Sequence, residues 1–205
     1  MPVELTKSHL KYMNIGKRYW GATREGMTDP QRKCLQSYLD KLEESIRRGI
    51  GVFLWGTNNV GKSYLASLLC KLVWGQYRVT SYCVTSPDLK DCWIEDIPAH
   101  QDSEELMRDR VRSVRFLVVD DLGKEYRKKS NGNKFASVQL GALLRYRTRD
   151  NKVTCFTSNL NPQEFYQAYG DSTTHLVKEC MLPIAVEGED MRKLEAEKIR
   201  NFIEG

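Results

Sequence analysis

Eight residues, Gly56-Thr57-Asn58-Asn59-Val60-Gly61-Lys62-Ser63, carry the spacing G-x-x-x-x-G-K-[ST], and their types suit them to hold a chain of phosphates. The glycines let the backbone wrap an anion closely, and the helix that follows turns its positive end toward it. Lys62 brings a cation to the β- and γ-phosphates, and the Ser63 hydroxyl offers a ligand to Mg²⁺. Gly56 through Tyr64 are therefore the candidate nucleotide-binding residues. Such a loop also needs a carboxylate for the metal and a group that aims the attacking water. Asp120 and Asp121 end the apolar run Val114-Arg-Phe-Leu-Val-Val119. Asp120 suits the metal side and Asp121 suits the water, although an aspartate reaches less far than a glutamate. Asn159 closes Thr157-Ser158-Asn159, where an amide can touch the γ-phosphate or the water. The bland alternatives are a chance glycine turn, helix-capping acids at a strand end, and a plain turn before Pro162.

The elements that must position these groups are legible from apolar periodicity. Gly51-Val-Phe-Leu-Trp55 reads as a buried strand entering the loop, and Ser63 to Trp74 as the helix leaving it. Upstream, Thr28 or Asp29 caps a helix with Pro30 in its first turn. Leu35, Tyr38, Leu39, Leu42, Ile46 and Ile50 trace one face of that helix, and Gly49 ends it. Further strands are expected near 78–84, 114–121, 152–159 and 184–186. Helices are expected after Ser86, after Asp102, over 134–149, after Asn161, after Asp171, and over 190–203. Alternating strands and helices give a doubly wound α/β fold with a five-stranded parallel sheet. Residues 1–27, basic and aromatic, form an arm packed on one domain spanning 28–205. Tyr12, Tyr19 and Trp20 in that arm suit either an adenine wall or the core.

The bulk composition excludes several classes. At 205 residues, 40% hydrophobic and 29% charged, the chain can bury a full core and is not a disordered sequence. No apolar run approaches a bilayer span, and Met1-Pro-Val-Glu-Leu-Thr-Lys lacks a signal-peptide core, so a cytoplasmic protein is expected. Six scattered cysteines without a C-x-x-C pair, and three distant histidines, point to neither a disulfide framework nor a zinc site. A net charge of +5 permits an anionic partner without requiring one.

The combination of phosphate loop, hydrophobic-Asp-Asp-Leu-Gly, Thr-Ser-Asn-Leu and the tail Val-Glu-Gly-Glu-Asp-Met-Arg resembles the DnaC/IstB-type AAA+ ATPases. These are bacterial and phage helicase loaders and transposition helpers. Ile15-Gly-Lys-Arg-Tyr-Trp20 is similar to the segment that precedes the ATPase core in that family, and the resemblance runs from about residue 14 to 193. It implies an ATP- and Mg²⁺-dependent, helicase-loader-like ATPase. Gly56–Ser63 would be Walker A, Asp120 and Asp121 Walker B, and Asn159 sensor 1. It also implies a homo-oligomer assembled on DNA, single strands preferred, with a replicative helicase or a transposase as partner.

One departure stands out. The family's Ser-Arg-Leu segment aligns with Thr174-His175-Leu176 and lacks the arginine that completes a neighbour's site. Lys178, Arg145, Arg147 and Arg149 are the candidate substitutes, and a lysine there implies weak or partner-stimulated hydrolysis. The basic loop holding Lys124, Arg127, Lys128 and Lys129 is either a DNA contact or a solvated surface. Three rival readings stay open: a transposition helper on duplex DNA, an ATP-gated adaptor that hardly hydrolyses, and a small P-loop kinase using that loop as its lid.

Overall fold

The computed structural model describes residues 4–91, 101–123 and 132–204. Five strands form its sheet: β1 (Gly51–Trp55), β2 (Ser81–Thr85), β3 (Phe116–Leu122), β4 (Val153–Ser158) and β5 (Met181–Ala185). Their order is β2-β3-β4-β1-β5, and every pairing is parallel. All five carboxyl ends therefore lie along one edge, where doubly wound sheets place their ligands.

Side-chain alternation assigns each strand residue to one of two cores. Val52, Leu54, Phe116, Val118, Val153, Cys155 and Ile184 face one side of the sheet. They pack against α2 (Asp29–Asp40), α3 (Leu42–Arg48) and α4 (Lys62–Tyr77). Phe53, Tyr82, Val84, Leu117, Val119 and Phe156 face the other side. There they meet α5 (Ser86–Asp91), α6 (Gln101–Ser113), α7 (Gly132–Arg149) and α8 (Pro162–Cys180). β3 is buried on both faces from Phe116 to Val119, which explains its unbroken apolar sequence.

The N-terminal segment contributes to the first core. It holds α1 (Lys7–Tyr12) and a single 3₁₀ turn (Lys17–Tyr19), and Leu10, Met13, Ile15, Ala22 and Met27 are buried with the sheet residues. Met13 O accepts from Cys83 N at 2.9 Å, tying the segment to edge strand β2. Tyr12 meets Trp74 edge-on at 5.2 Å, and the Trp20 indole donates to Ile15 O at 2.8 Å. Those two rings serve packing; Tyr19 alone of the three aromatics lines the cavity described below.

Three boundaries differ from the sequence expectation. The helix expected from 28 to 49 breaks at Lys41 (φ −113°, ψ 18°), separating α2 from α3. Leu39 and Leu42, on either side of the break, are both buried, so the apolar period runs through it and conceals it. Gly49, at φ 74°, ends α3 in the left-handed conformation expected of it. β5 begins three residues earlier than the apolar triplet 184–186 suggests, since backbone pairing with the whole of β1 extends it to Met181. Its Pro183 is tolerated because β5 is an edge strand. The two helices expected after Asn161 and Asp171 run together as α8, with a kink at Gly170 (φ 75°, ψ 173°). A last helix, α9 (Met191–Glu204), closes the chain. Among the described residues, no helix is long and apolar enough to cross a membrane.

Candidate nucleotide site

The phosphate loop joins β1 to α4 at the carboxyl edge of the sheet. Its conformation demands particular residues. Gly56 has φ 151°, and a Cβ there would lie 2.3 Å from Val186 O. Gly61 has φ 91°, and a Cβ there would lie 2.2 Å from the Gln31 amide nitrogen. Asn59 adopts φ 65°, a left-handed conformation that asparagine tolerates better than most residues. The loop is thus held from both sides by backbone and buried polar groups.

Lys62 is buried, and its Nζ donates to Gly56 O at 3.0 Å and Thr57 O at 2.6 Å. The ammonium therefore lies over the concave face of the loop, where phosphate oxygens would meet it. Ser63 Oγ donates to Asp120 Oδ1 at 3.0 Å, bringing together the two groups whose chemistry suits the metal. Thr157 Oγ1 also donates to Asp120 Oδ1 and accepts from Asp121 N at 2.9 Å. A residue of β4 thereby fixes both carboxylate-bearing positions of β3.

Asp121 owes its placement to a bulge. Val119 pairs with Phe156 and Leu122 with Ser158, so Asp120 and Asp121 together face Thr157. Asp121 takes φ 64° there, which turns it out of the strand and into the cavity wall. The cavity has a volume of about 350 Å³, and Asn58, Asn59, Gly61, Lys62, Ser63, Tyr64, Asp121 and Asn159 all line it. Asp120 touches it through Ser63. Glycines that only a Cβ-free backbone could replace, a buried cation and a hydroxyl–carboxylate pair together fit a magnesium–nucleotide complex.

Two short stretches cover the cavity. Val186 N donates to Trp55 O at 2.7 Å and Met191 N to Asn59 O at 2.9 Å, while Asn59 Nδ2 donates to Asp190 at 3.2 Å. These bonds draw the segment between β5 and α9 across the phosphate loop. From the other side Arg18, Tyr19, Gly21 and Ala22 line the cavity. Tyr64 holds that N-terminal stretch: its hydroxyl donates to Thr23 O at 2.9 Å and accepts from Thr23 N at 3.0 Å.

Neither a protein-family model nor a curated protein matches the chain. Solved structures do. The crystal structure of the DnaC helicase loader matches with a TM-score of 0.70 and 20% identity, over 84% of this chain and 100% of that one. The crystal structure of DnaI matches with a TM-score of 0.71 and 20% identity, over 90% and 100%. Replication initiator DnaA, bound to AMPPCP and single-stranded DNA, matches with a TM-score of 0.64 and 17% identity, over 92% of this chain and 56% of that one.

This chain has the AAA+ P-loop NTPase fold. At these identities the likeness is one of fold.

Within the AAA+ fold the candidate substitutes for the missing arginine separate clearly. Arg147 is wholly enclosed, and its guanidinium has four partners inside the chain. Nε donates to Thr154 Oγ1 at 2.8 Å, one terminal nitrogen to Val111 O and Val114 O at 2.7 and 3.0 Å, and the other to Val153 O at 2.7 Å. Burial pushes its pKa down to about 9, which leaves it charged at neutral pH. Arg147 is a brace of this AAA+ core, and the expectation that it reaches a neighbour or DNA is corrected. Arg149 ends α7 just before β4 begins, at the edge of the sheet opposite the phosphate loop. Arg145 is exposed and bound to Ser172 Oγ at 2.5 Å. Thr174 is buried, whereas His175 and Lys178 are exposed on α8. Lys124, Arg127, Lys128 and Lys129 lie outside the described residues.

Sequence reasoning missed three contributors. Arg18 and Arg192 line the cavity; Arg192 ends the quoted tail motif, which was the available signal. Gln31 is 1% exposed. Its carbonyl accepts from Thr28 N at 3.0 Å, and its amide donates to Val60 O at 2.9 Å. The glutamine that completes the capping box of α2 is thereby also a strut of the phosphate loop. Thr28 followed by Gln31 signalled the cap, but nothing in the sequence pointed from it to Val60.

Proposed function

We propose that this chain is a DnaC/IstB-type ATPase that binds ATP with Mg²⁺, assembles with copies of itself on DNA, and loads a replicative helicase in the cytoplasm. The observation that carries the reading is the bond from Ser63 Oγ to Asp120 Oδ1 at 3.0 Å, with Lys62, Asp121 and Asn159 lining the adjoining cavity. Each group then has a task. The loop amides and Lys62 bind and orient the phosphates, and Ser63 and Asp120 hold the metal. A bound Mg²⁺ would neutralise charge on the β- and γ-phosphate oxygens. Asp121 polarises the attacking water, and Asn159 orients it or holds the terminal phosphate. Arg18 and Arg192 add positive charge to the cavity wall.

DNA enters the reading from the replication proteins whose fold the chain shares, among them a DnaA solved with single-stranded DNA. The test is ATP turnover by the protein alone, with single-stranded DNA and with duplex. Stimulation by single strands supports the loader; stimulation by duplex alone moves the assignment to a transposition helper. One observation favours a second reading. The segment Thr174-His175-Leu176 carries no arginine, and Arg147 is locked inside the core. An ATP-gated adaptor that awaits a partner's cation would bind ATP and turn it over at a near-zero rate under all three conditions.

A further inference from the structure

The edge of the sheet farthest from the nucleotide cavity carries a compact group of cations around one aromatic ring. Tyr146, on the last turns of α7, is 39% exposed. The Lys152 ammonium lies 4.9 Å from its ring centroid, the Arg149 guanidinium 5.4 Å and the Arg112 guanidinium 5.9 Å. Arg112 belongs to the last turn of α6, Arg149 to the last turn of α7, and Lys152 to the turn before β4. Three elements thus bring like charges to one ring, Arg112 coming from a helix distant in sequence from the other two. Asp150 answers part of this charge, 3.4 Å from Arg149 and 3.2 Å from Lys152. Arg149 nevertheless keeps 72% of its side chain exposed. Lys152 is held in place by Arg112 O at 3.0 Å.

Three cations converging on an exposed ring repel one another, and an incoming polyanion relieves that repulsion. Guanidinium planes and a phenol ring also offer stacking faces that a string of carboxylates would leave unused. We infer that the Tyr146–Arg112–Arg149–Lys152 cluster is a docking surface for single-stranded nucleic acid, with backbone phosphates on the two exposed arginines and a base against the arginine–tyrosine stack. It lies a full strand length from the phosphate loop, so a strand bound there leaves the nucleotide cavity open. The inference rests on the proposed DNA-binding role and places that contact away from the Lys124–Lys129 loop. A purely structural role would be to complement the carbonyl ends of α6 and α7, and the experiment separates the two.

Binding of a fluorescein-labelled oligothymidylate is followed by anisotropy across a salt series, for the full chain and three variants. Tyr146→Ala is expected to weaken binding about tenfold, the scale of one lost base stack, whereas Tyr146→Phe keeps the affinity. Arg112→Gln with Arg149→Gln is expected to flatten the slope of log affinity against log salt by about 1.4, the loss of two single-strand phosphate contacts. Unchanged affinity and slope, with only a lower thermal midpoint, would make the cluster a helix-end device and overturn the inference while leaving DNA binding elsewhere intact. A Tyr146-dependent preference for polyglutamate over the oligonucleotide would also overturn it. No binding of DNA by the full chain would overturn both this surface and the DNA part of the proposed function. Titration with a fluorescent ATP analogue in the same samples reads the nucleotide site separately.

Discussion

Gln31 is enclosed because both ends of its side-chain amide are in use: the oxygen on the first turn of α2 and the nitrogen on the carbonyl of Val60. Gln31→Ala leaves that buried carbonyl without its donor and removes half of the cap, a loss of about 1–3 kcal/mol. We expect a lower thermal midpoint together with weaker ATP affinity, since the loop beside Gly61 loses its support. A fall in stability with unchanged affinity would restrict Gln31 to capping. Arg147 presents the same logic at higher stakes. Arg147→Met removes the guanidinium that joins Val111, Val114, Val153 and Thr154, leaving acceptors buried and unpaired. Chemical denaturation should show a loss of at least about 1–3 kcal/mol, the cost of a buried acceptor left unpaired, and Arg147→Lys should not restore it because an ammonium lacks the planar fork. The motif residues Gly56 to Ser63, Asp120, Asp121 and Asn159 were legible because fixed spacing and neighbouring apolar runs announce them. Gln31 and Arg147 were not: Gln31 reaches Val60, 29 residues on, and Arg147 reaches back across 36 residues to Val111 as well as to nearby Val153 and Thr154, and no local pattern encodes such a set of contacts.

At the scale of elements, β3 and β4 act as a single unit. Thr157, next to last in β4, holds Asp120 through its hydroxyl and accepts from Asp121 N, and the bulge in β3 gives Asp121 its left-handed turn. Apolar runs disclosed both strands but not the bulge, since an extra residue leaves the apolar count unaltered. The same blindness hid the break at Lys41. Buried residues on both sides of it keep a helical period, so the apolar pattern gives no sign that α2 ends there. The N-terminal stretch is a further element, held to α4 in part by one phenol. Tyr64→Phe removes both bonds to Thr23 and should speed amide exchange over residues 21–26 while α4 retains its protection. Equal protection in both proteins would show that buried Ala22 and Met27, with the Lys71 ammonium on Trp20 O at 2.6 Å and Ala22 O at 2.5 Å, hold the segment without Tyr64.

The whole molecule gathers its chemistry along one edge of a parallel sheet. The phosphate loop, the bulged end of β3, the end of β4 and the crossing between β5 and α9 all meet there. Its opposite edge collects the carbonyl ends of α6 and α7 with their arginines. Such an arrangement separates nucleotide from any strand held at Tyr146, so each can be altered without obstructing the other. The account depends first on the cavity being a magnesium–nucleotide site. Calorimetric titration of ATP into the chain and into Lys62→Ala, with and without Mg²⁺, tests that most directly. We predict Mg²⁺-dependent binding by the unaltered chain and none by Lys62→Ala at the same concentrations, with both proteins folded by circular dichroism. Equal binding by the two would contradict the assignment of this cavity.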